Sequence, residues 1–78
     1  MNAAAHIQGI GMHIAKPASA IAVGDVLVWN FGYTSKVTRI VSETTAFLTI
    51  EEQYDGDKLY ERRLKKSRLV AYTTKVKM

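Results

Sequence analysis

The segment that most constrains the fold is residues 20–32, in which a Gly24-Asp25 pair runs directly into an apolar, β-branched stretch that reaches Trp29. Glycine adopts the positive φ angles of a tight turn without steric cost, and aspartate hydrogen-bonds to nearby backbone in turns. β-Branched and aromatic residues favour strands. The pattern therefore predicts a turn followed by a strand over residues 26–31, with Trp29 and Phe31 on one face.

Apolar residues alternate with polar ones in short runs along the rest of the chain, which is the pattern of half-buried strands. The connections between these runs are too short for the crossover helices of a parallel sheet. Runs at intervals of about ten residues are typical of all-β barrels and rolls. The sequence therefore predicts five to six antiparallel strands, over residues 10–14, 26–31, 36–41, 46–51, 59–64 and 69–72.

Three local signals refine this prediction. Asp55-Gly56 suits the positive φ angles of a tight hairpin turn between two strands. The apolar spacing in residues 36–41 slips from even to odd, which a β-bulge near Arg39 would absorb. Pro17 lacks a backbone N–H, so we expect residues 16–20 to connect strands and not to pair.

Length and composition indicate one small domain. A chain of this size buries only about 60% of its unfolded surface on folding, so we expect a thin core within a domain over residues 10–72. We expect residues 1–9 and 73–78 to be flexible. The absence of cysteine favours a reducing, cytoplasmic compartment. The sequence offers neither a signal peptide nor a membrane span, so we expect a soluble protein.

Positive charge is concentrated towards the end of the chain. Residues 58–78 hold eight basic residues and one acid, whereas residues 1–57 hold three basic residues and six acids. Clustered positive charge suits an anionic partner such as nucleic acid. The densest cluster consists of Arg62, Arg63, Lys65, Lys66 and Arg68.

The Val-Gly-Asp-Val opening at residues 23–26, followed by Gly32 and by the apolar Val37 and Ile40, resembles SH3-like small barrels. Within them it is similar to the KOW-type pattern of ribosomal and transcription-elongation proteins. The chain departs from that pattern at residues 33–36, which carry no second glycine where the ribosomal proteins have an RNA-contacting loop.

The resemblance covers residues 20–72. The chain also resembles small uncharacterised barrels of bacteriophage and mobile-element genomes. These share the Gly-Asp-apolar-Trp-Asn opening and a late strand with the pattern aromatic-x-Arg-Arg, here residues 60–63. The resemblance implies an all-β fold, a small SH3-like barrel or roll, encoded by a phage or a mobile element.

The basic cluster is the leading candidate for a binding site. Each phosphate contact made by a lysine or arginine releases counterions, so binding would weaken steeply with salt. The alternative is that these residues form a solvated edge strand whose charges prevent aggregation between sheets. Arg62 shares a face with Tyr60 and Leu64 in the predicted strand, so it could also be a core-rim arginine paired with Glu51 or Glu61.

Exposed aromatic rings would extend such a site, since bases stack on them at about 1 to 3 kcal/mol each. Tyr33 and Tyr54 lie in predicted loops and are candidates for stacking, and Lys36 is a candidate for an accessory phosphate contact. Phe47, on the outward face of its predicted strand, is a further candidate for stacking. The favoured alternative is that Trp29, Phe31 and Phe47 lie in the core.

The sequence predicts neither a catalytic site nor a metal site. His6 and His13 have no carboxylate or cysteine at ligand spacing, and no cofactor is implied. Asp55 and Asp57 flank a turn glycine, where local backbone hydrogen bonds favour aspartate. We therefore do not expect an enzyme.

Two classes of function remain open. One is a non-catalytic barrel that binds DNA or RNA with low sequence specificity, because no helix is available for the major groove. The other is a protein-interaction module, such as a phage assembly factor or an inhibitor of a host enzyme. There the basic cluster would meet an acidic protein surface, and an extended peptide could add to a sheet edge.

Overall fold

A computed structural model describes residues 3–73, which form an all-β protein, as predicted. The described strands number seven in place of the five or six expected. They are β1 (Ala3–Ile7), β2 (Gly11–Pro17), β3 (Val26–Val28), β4 (Thr34–Glu43), β5 (Phe47–Gln53), β6 (Leu59–Lys65) and β7 (Leu69–Thr73). Single 3₁₀ turns cover Ala18–Ala20, Asn30–Gly32 and Asp55–Asp57.

All strand pairs are antiparallel, and they join into one sheet in the order β1-β2-β7-β3-β4-β5-β6. Within the described residues no pairing joins the two edge strands, β1 and β6, so the sheet is not closed. The register of β4 against β5 shifts twice, between Val37 and Arg39 and between Ile40 and Ser42. These irregularities confirm the predicted bulge near Arg39, and such bulges bend a long strand.

The main core collects side chains from five strands. β-Strand alternation directs every second side chain of each strand to the same face, and these faces meet in one cluster. The 3₁₀ turn Ala18–Ala20 closes one end of it, because the N–H of Ala18 donates to the carbonyl of Arg68 at 2.8 Å. The buried members are Ala18, Ile21, Leu27, Val37, Leu48, Ile50, Leu64 and Val70.

A second, smaller cluster lies on the other face of β3 and β7. Val28 and Ala71 follow the core residues Leu27 and Val70 by one position, so they point the opposite way. Ile7 at the end of β1 covers them. The two central strands therefore have apolar contacts on both faces, and Ile7 from the β1–β2 hairpin supplies those on the second face.

This hairpin corrects two expectations about the N-terminal part of the chain. The segment expected to be flexible over residues 1–9 contains β1, which pairs with β2 from Ala3 to Ile7. Lys16 and Pro17, expected in a connector, end β2 and pair with β7. Burial of Ile7 overrides the low strand propensity of the preceding alanines. Residues 1–2 and 74–78, the latter in the tail expected to be flexible, lie outside the described residues.

The Gly24-Asp25 turn forms as predicted. Gly24 has a φ of 97°, and the carboxylate of Asp25 accepts hydrogen bonds from the N–H of Ala22 at 2.8 Å and from Lys16 at 2.7 Å. The strand that follows is shorter than expected and ends at Val28. The chain then turns sharply, since the N–H of Gly32 donates to the carbonyl of Trp29 at 3.0 Å.

Candidate binding groove

A groove of about 400 Å³ opens between β1, the Asn30–Gly32 turn and the start of β7. We call it the aromatic groove, because four aromatic side chains and two arginines line it. No carboxylate is among its described lining residues, and Arg62 and Arg68 bring positive charge to it. These aromatic and arginine residues are Trp29, Phe31, Tyr33, Tyr54, Arg62 and Arg68.

Arg62 lines the groove and is held in position by a buried carboxylate. Its Nε donates to Glu52 Oε2 at 2.8 Å, and its Nη2 donates to the hydroxyl of Tyr54 at 2.9 Å. The Glu52 side chain is 1% exposed and that of Arg62 is 36% exposed. Burial opposes the charge of Arg62, but the hydrogen bonds to Glu52 and Tyr54 outweigh it and raise the pKa of Arg62. Arg62 therefore stays charged at any ordinary pH.

Trp29 completes this polar network. Its indole N–H donates to Ser35 Oγ at 2.9 Å, and that hydroxyl donates to Glu52 Oε1 at 2.7 Å. The guanidinium of Arg62 lies 3.9 Å from the centre of the indole ring, and that of Arg68 lies 5.8 Å from it. Cation–π contacts of this kind favour a fixed ring orientation. Trp29 packs against the core, as predicted, and also forms part of the groove wall.

Phe31 was expected in the core, and that expectation is wrong: it is 62% exposed. Its φ is 62°, a left-handed conformation that is rare for a bulky residue. The hairpin turn holds it there, because the N–H of Phe31 donates to the carbonyl of Gln8 at 2.6 Å and its ring lies against Gly9. Non-glycine residues in such conformations cluster at functional sites.

The eight residues predicted from sequence do not share one surface. Tyr33, Tyr54, Arg62 and Arg68 meet in the aromatic groove. The other four lie outside it: Lys36, Arg63, Lys65 and Lys66.

On the outer face of β6, Arg63 and Lys65 pair with Thr49 and Phe47 across the strands, and the Arg63 guanidinium lies 3.9 Å from the Phe47 ring centre. Lys66 is bound to Glu43 at 2.6 Å. These contacts direct three of the basic residues away from the groove, and Phe47 lies partly buried beneath Arg63.

Tyr54 borders two further hollows. One, of about 730 Å³, runs along β6, and we call it the Tyr60 hollow; it is lined by Glu52, Tyr54, Lys58, Tyr60, Glu61, Arg62 and Arg63. The other, of about 270 Å³, contains Lys36 and Gln53 beside Tyr54. The rings of Tyr54 and Tyr60 meet edge to face, with centres 5.5 Å apart. Tyr54 therefore stands where three surface depressions meet.

The pairing of Glu52 with Arg62 was not predicted. Glu51 and Glu61 were the partners considered for a core-rim Arg62, whereas Glu52 alternates with Leu48 and Ile50 on the buried face of β5. That alternation is visible in the sequence and indicates that the Glu52 side chain is buried. A carboxylate in the buried register needs a cation in the buried register of the neighbouring strand.

Comparison with known proteins found no matching family model, no matching curated protein and no matching solved structure. None of the helical turns within residues 3–73 has the length and apolar character needed to cross a membrane.

Proposed function

We propose that this chain is a non-catalytic, SH3-like small barrel that binds nucleic acid through the aromatic groove with low sequence specificity. The contacts would be phosphate contacts by Arg68 and Arg62, and stacking of bases on Tyr33 and Tyr54. A phage or mobile-element origin belongs to the same proposal and rests on the resemblance described above.

One observation carries the proposal: arginine and aromatic side chains line the same groove, and Glu52, the acid paired with Arg62, is buried. Proteins that bind nucleic acid without sequence preference combine a positive groove with rings on which bases stack. Tyr33 is 69% exposed, so its ring is open to a base. Glu52 and Trp29 fix Arg62, so little side-chain entropy would be lost on binding.

Fluorescence anisotropy with labelled oligonucleotides at two salt concentrations tests this proposal. Arg68→Ala should weaken binding and reduce the slope of log K against log salt by about 0.7, the value for one lost phosphate contact on a single strand. Tyr33→Ala should weaken binding by about fivefold or more. Arg39→Ala is the matched control, because it removes one exposed arginine that does not line the groove.

Both variants of the groove should unfold cooperatively at the wild-type temperature, since both side chains are exposed. Equal loss of binding in Arg39→Ala would show that affinity follows net charge and not the groove. Absence of binding by the wild-type protein at low salt would overturn the proposal.

A second candidate function is protein interaction, and the edge of β1 favours it. No described strand pairs with the outer side of β1, and residues 3–15 contain no Asp, Glu, Lys or Arg. Such an edge accepts an added strand without electrostatic conflict. An extended segment of a partner with an acidic surface would pair there and reach Arg68 in the adjacent groove.

Pull-down from nuclease-treated lysate separates this candidate from the first. A stoichiometric partner that binds the wild-type protein and is lost with Ala4→Lys, which charges the edge, would support interaction through β1. Recovery of no partner, or of a partner insensitive to Ala4→Lys, would count against it.

A further inference from the structure

The aromatic groove and the Tyr60 hollow share a wall. Tyr54 and Arg62 line both, and the edge-to-face contact of Tyr54 with Tyr60 connects the two. A ligand too long for one depression would therefore cross this shared wall and enter the other.

Both depressions carry features that suit the same ligand. The aromatic groove offers the exposed ring of Tyr33 and the charge of Arg68. The Tyr60 hollow offers the ring of Tyr60, 52% exposed, with Lys58 and Arg63 beside it. Its acids are Glu61 and Glu52, and the charge of Glu52 is already paired with Arg62.

The position of the rings discriminates between paired and unpaired nucleic acid. A duplex presents only base edges in its grooves, and its base faces are stacked inside. A ring can stack only on a base that has left the helix or was never paired. Rings that line recesses on the surface of a sheet therefore suit splayed single-strand bases.

We propose that the ligand is an unpaired strand of DNA or RNA that spans both depressions, which rests on the proposed function above. One base stacks on Tyr33 in the aromatic groove and another on Tyr60, and the strand crosses the protein over Tyr54. Arg62 lies under the crossing, and Arg68 and Lys58 contact phosphates on either side. The Tyr60 hollow is thus a second part of the site.

The test is an anisotropy series with unstructured oligothymidine and oligouridine of about 4, 8 and 12 nucleotides, a range that brackets common site sizes for such surfaces. For the wild-type protein, affinity should rise with length and then level off once both depressions are filled. A duplex of about 12 base pairs should bind at least about fivefold more weakly than the single strand. Comparison of the DNA and RNA oligonucleotides shows whether the sugar affects affinity.

Tyr60→Ala should remove the rise in affinity with length, lowering affinity for the longest oligonucleotide by about fivefold or more. Tyr60→Phe should restore it, because the ring remains. Leu59→Ala is the matched control: Leu59 lies on the same edge strand, is 53% exposed and points to the opposite face. It should bind like the wild type.

The outcomes separate this inference from the function on which it rests. If Tyr33→Ala weakens binding but Tyr60→Ala does not, the aromatic groove binds nucleic acid. The proposal that the strand also occupies the Tyr60 hollow is then overturned. Equal affinity for duplex and single strand would overturn the unpaired ligand. If the wild-type protein binds none of the oligonucleotides, the proposed function itself fails.

Discussion

The two faces of the β4–β5–β6 part of the sheet each carry an ion pair, and the two pairs are built from adjacent acidic residues in very different surroundings. On the inner face, Glu52 is buried and holds Arg62 at 2.8 Å. On the outer face, Glu51 contacts Arg39 at 3.3 Å, and the Arg39 side chain is 57% exposed. The two carboxylates belong to consecutive residues, yet that of Glu52 is buried and that of Glu51 lies at the surface.

The difference shows what a buried pair is for in a protein this small. Burying charge is expensive, and an apolar pair of similar volume would often be at least as stable. The inner pair nevertheless fixes the position of the guanidinium against Trp29 and Tyr54. We infer that its contribution is to orient the groove, whereas the outer pair lies on the solvent side of two interior strands and adds to solubility.

The largest effect is expected from Arg62→Ala. This change leaves Glu52 buried without its cation, at a cost of about 3 kcal/mol, the lower end for a broken buried pair because the vacated space admits water. Urea unfolding followed by tryptophan fluorescence measures it. A loss below about 1 kcal/mol would mean that the inner pair is no more important than the outer one. Arg62 variants are therefore unsuitable as tests of binding alone.

Glu52→Gln should have a smaller effect. The amide keeps a hydrogen-bond acceptor for Arg62 but removes the charge, which lowers the strength of that bond by about 1 kcal/mol. Because Arg62 is partly hydrated, it tolerates a neutral partner. The same unfolding experiment checks this, and a loss as large as that of Arg62→Ala would show that charge and not hydrogen bonding dominates the inner pair.

Arg63→Ala tests the neighbouring arginine on the outer face. It removes a cation–π contact with Phe47, worth about 0.5 to 1 kcal/mol at an exposed site. The free energy of unfolding should fall by no more than that. A loss comparable with that of Arg62→Ala would show that the arginine contacts on the two faces contribute equally to the free energy of unfolding.

The smallest effect concerns the pKa of Glu51. The hydrogen bond from Thr38 and the contact with Arg39 lower it below its usual value of 4.5. The resulting stabilisation is present above the unfolded pKa and is lost as pH falls through the folded one. Thr38→Val should move the pKa of Glu51 back up, measurable by NMR titration of its carboxyl carbon. An unchanged pKa would show that Thr38 is not its main partner.

Local patterns were sufficient for much of the fold. The Gly24-Asp25 turn, the Asp55-Gly56 hairpin and the alternation in β5 each act over a few residues, and the structure confirms all three. β1 could not be predicted in this way, because its pairing depends on Ile7 packing against Val28 and Ala71 from distant parts of the chain.

The groove was only partly predictable for a similar reason. Charge and position in predicted loops identified four residues of the groove as candidates: Arg62, Arg68, Tyr33 and Tyr54. No pattern in the neighbouring sequence shows that these side chains lie close together in the folded protein. Phe31 was misplaced because its conformation is fixed by the distant Gln8 and Gly9. A bulky residue in that backbone region contradicts its own propensity, and only a tertiary contact can stabilise it.

The position of β7 has a consequence for how the protein is made. It lies between β2 and β3 and is the strand that connects them, although it follows both in the chain. On a ribosome that adds roughly 5 to 20 residues per second, β2 and β3 therefore emerge a few seconds before the strand that joins them. The sheet is completed only late in synthesis, and until then the first hairpin, which is apolar apart from a few side chains such as Lys16, lacks its partner strand and is open to chaperones.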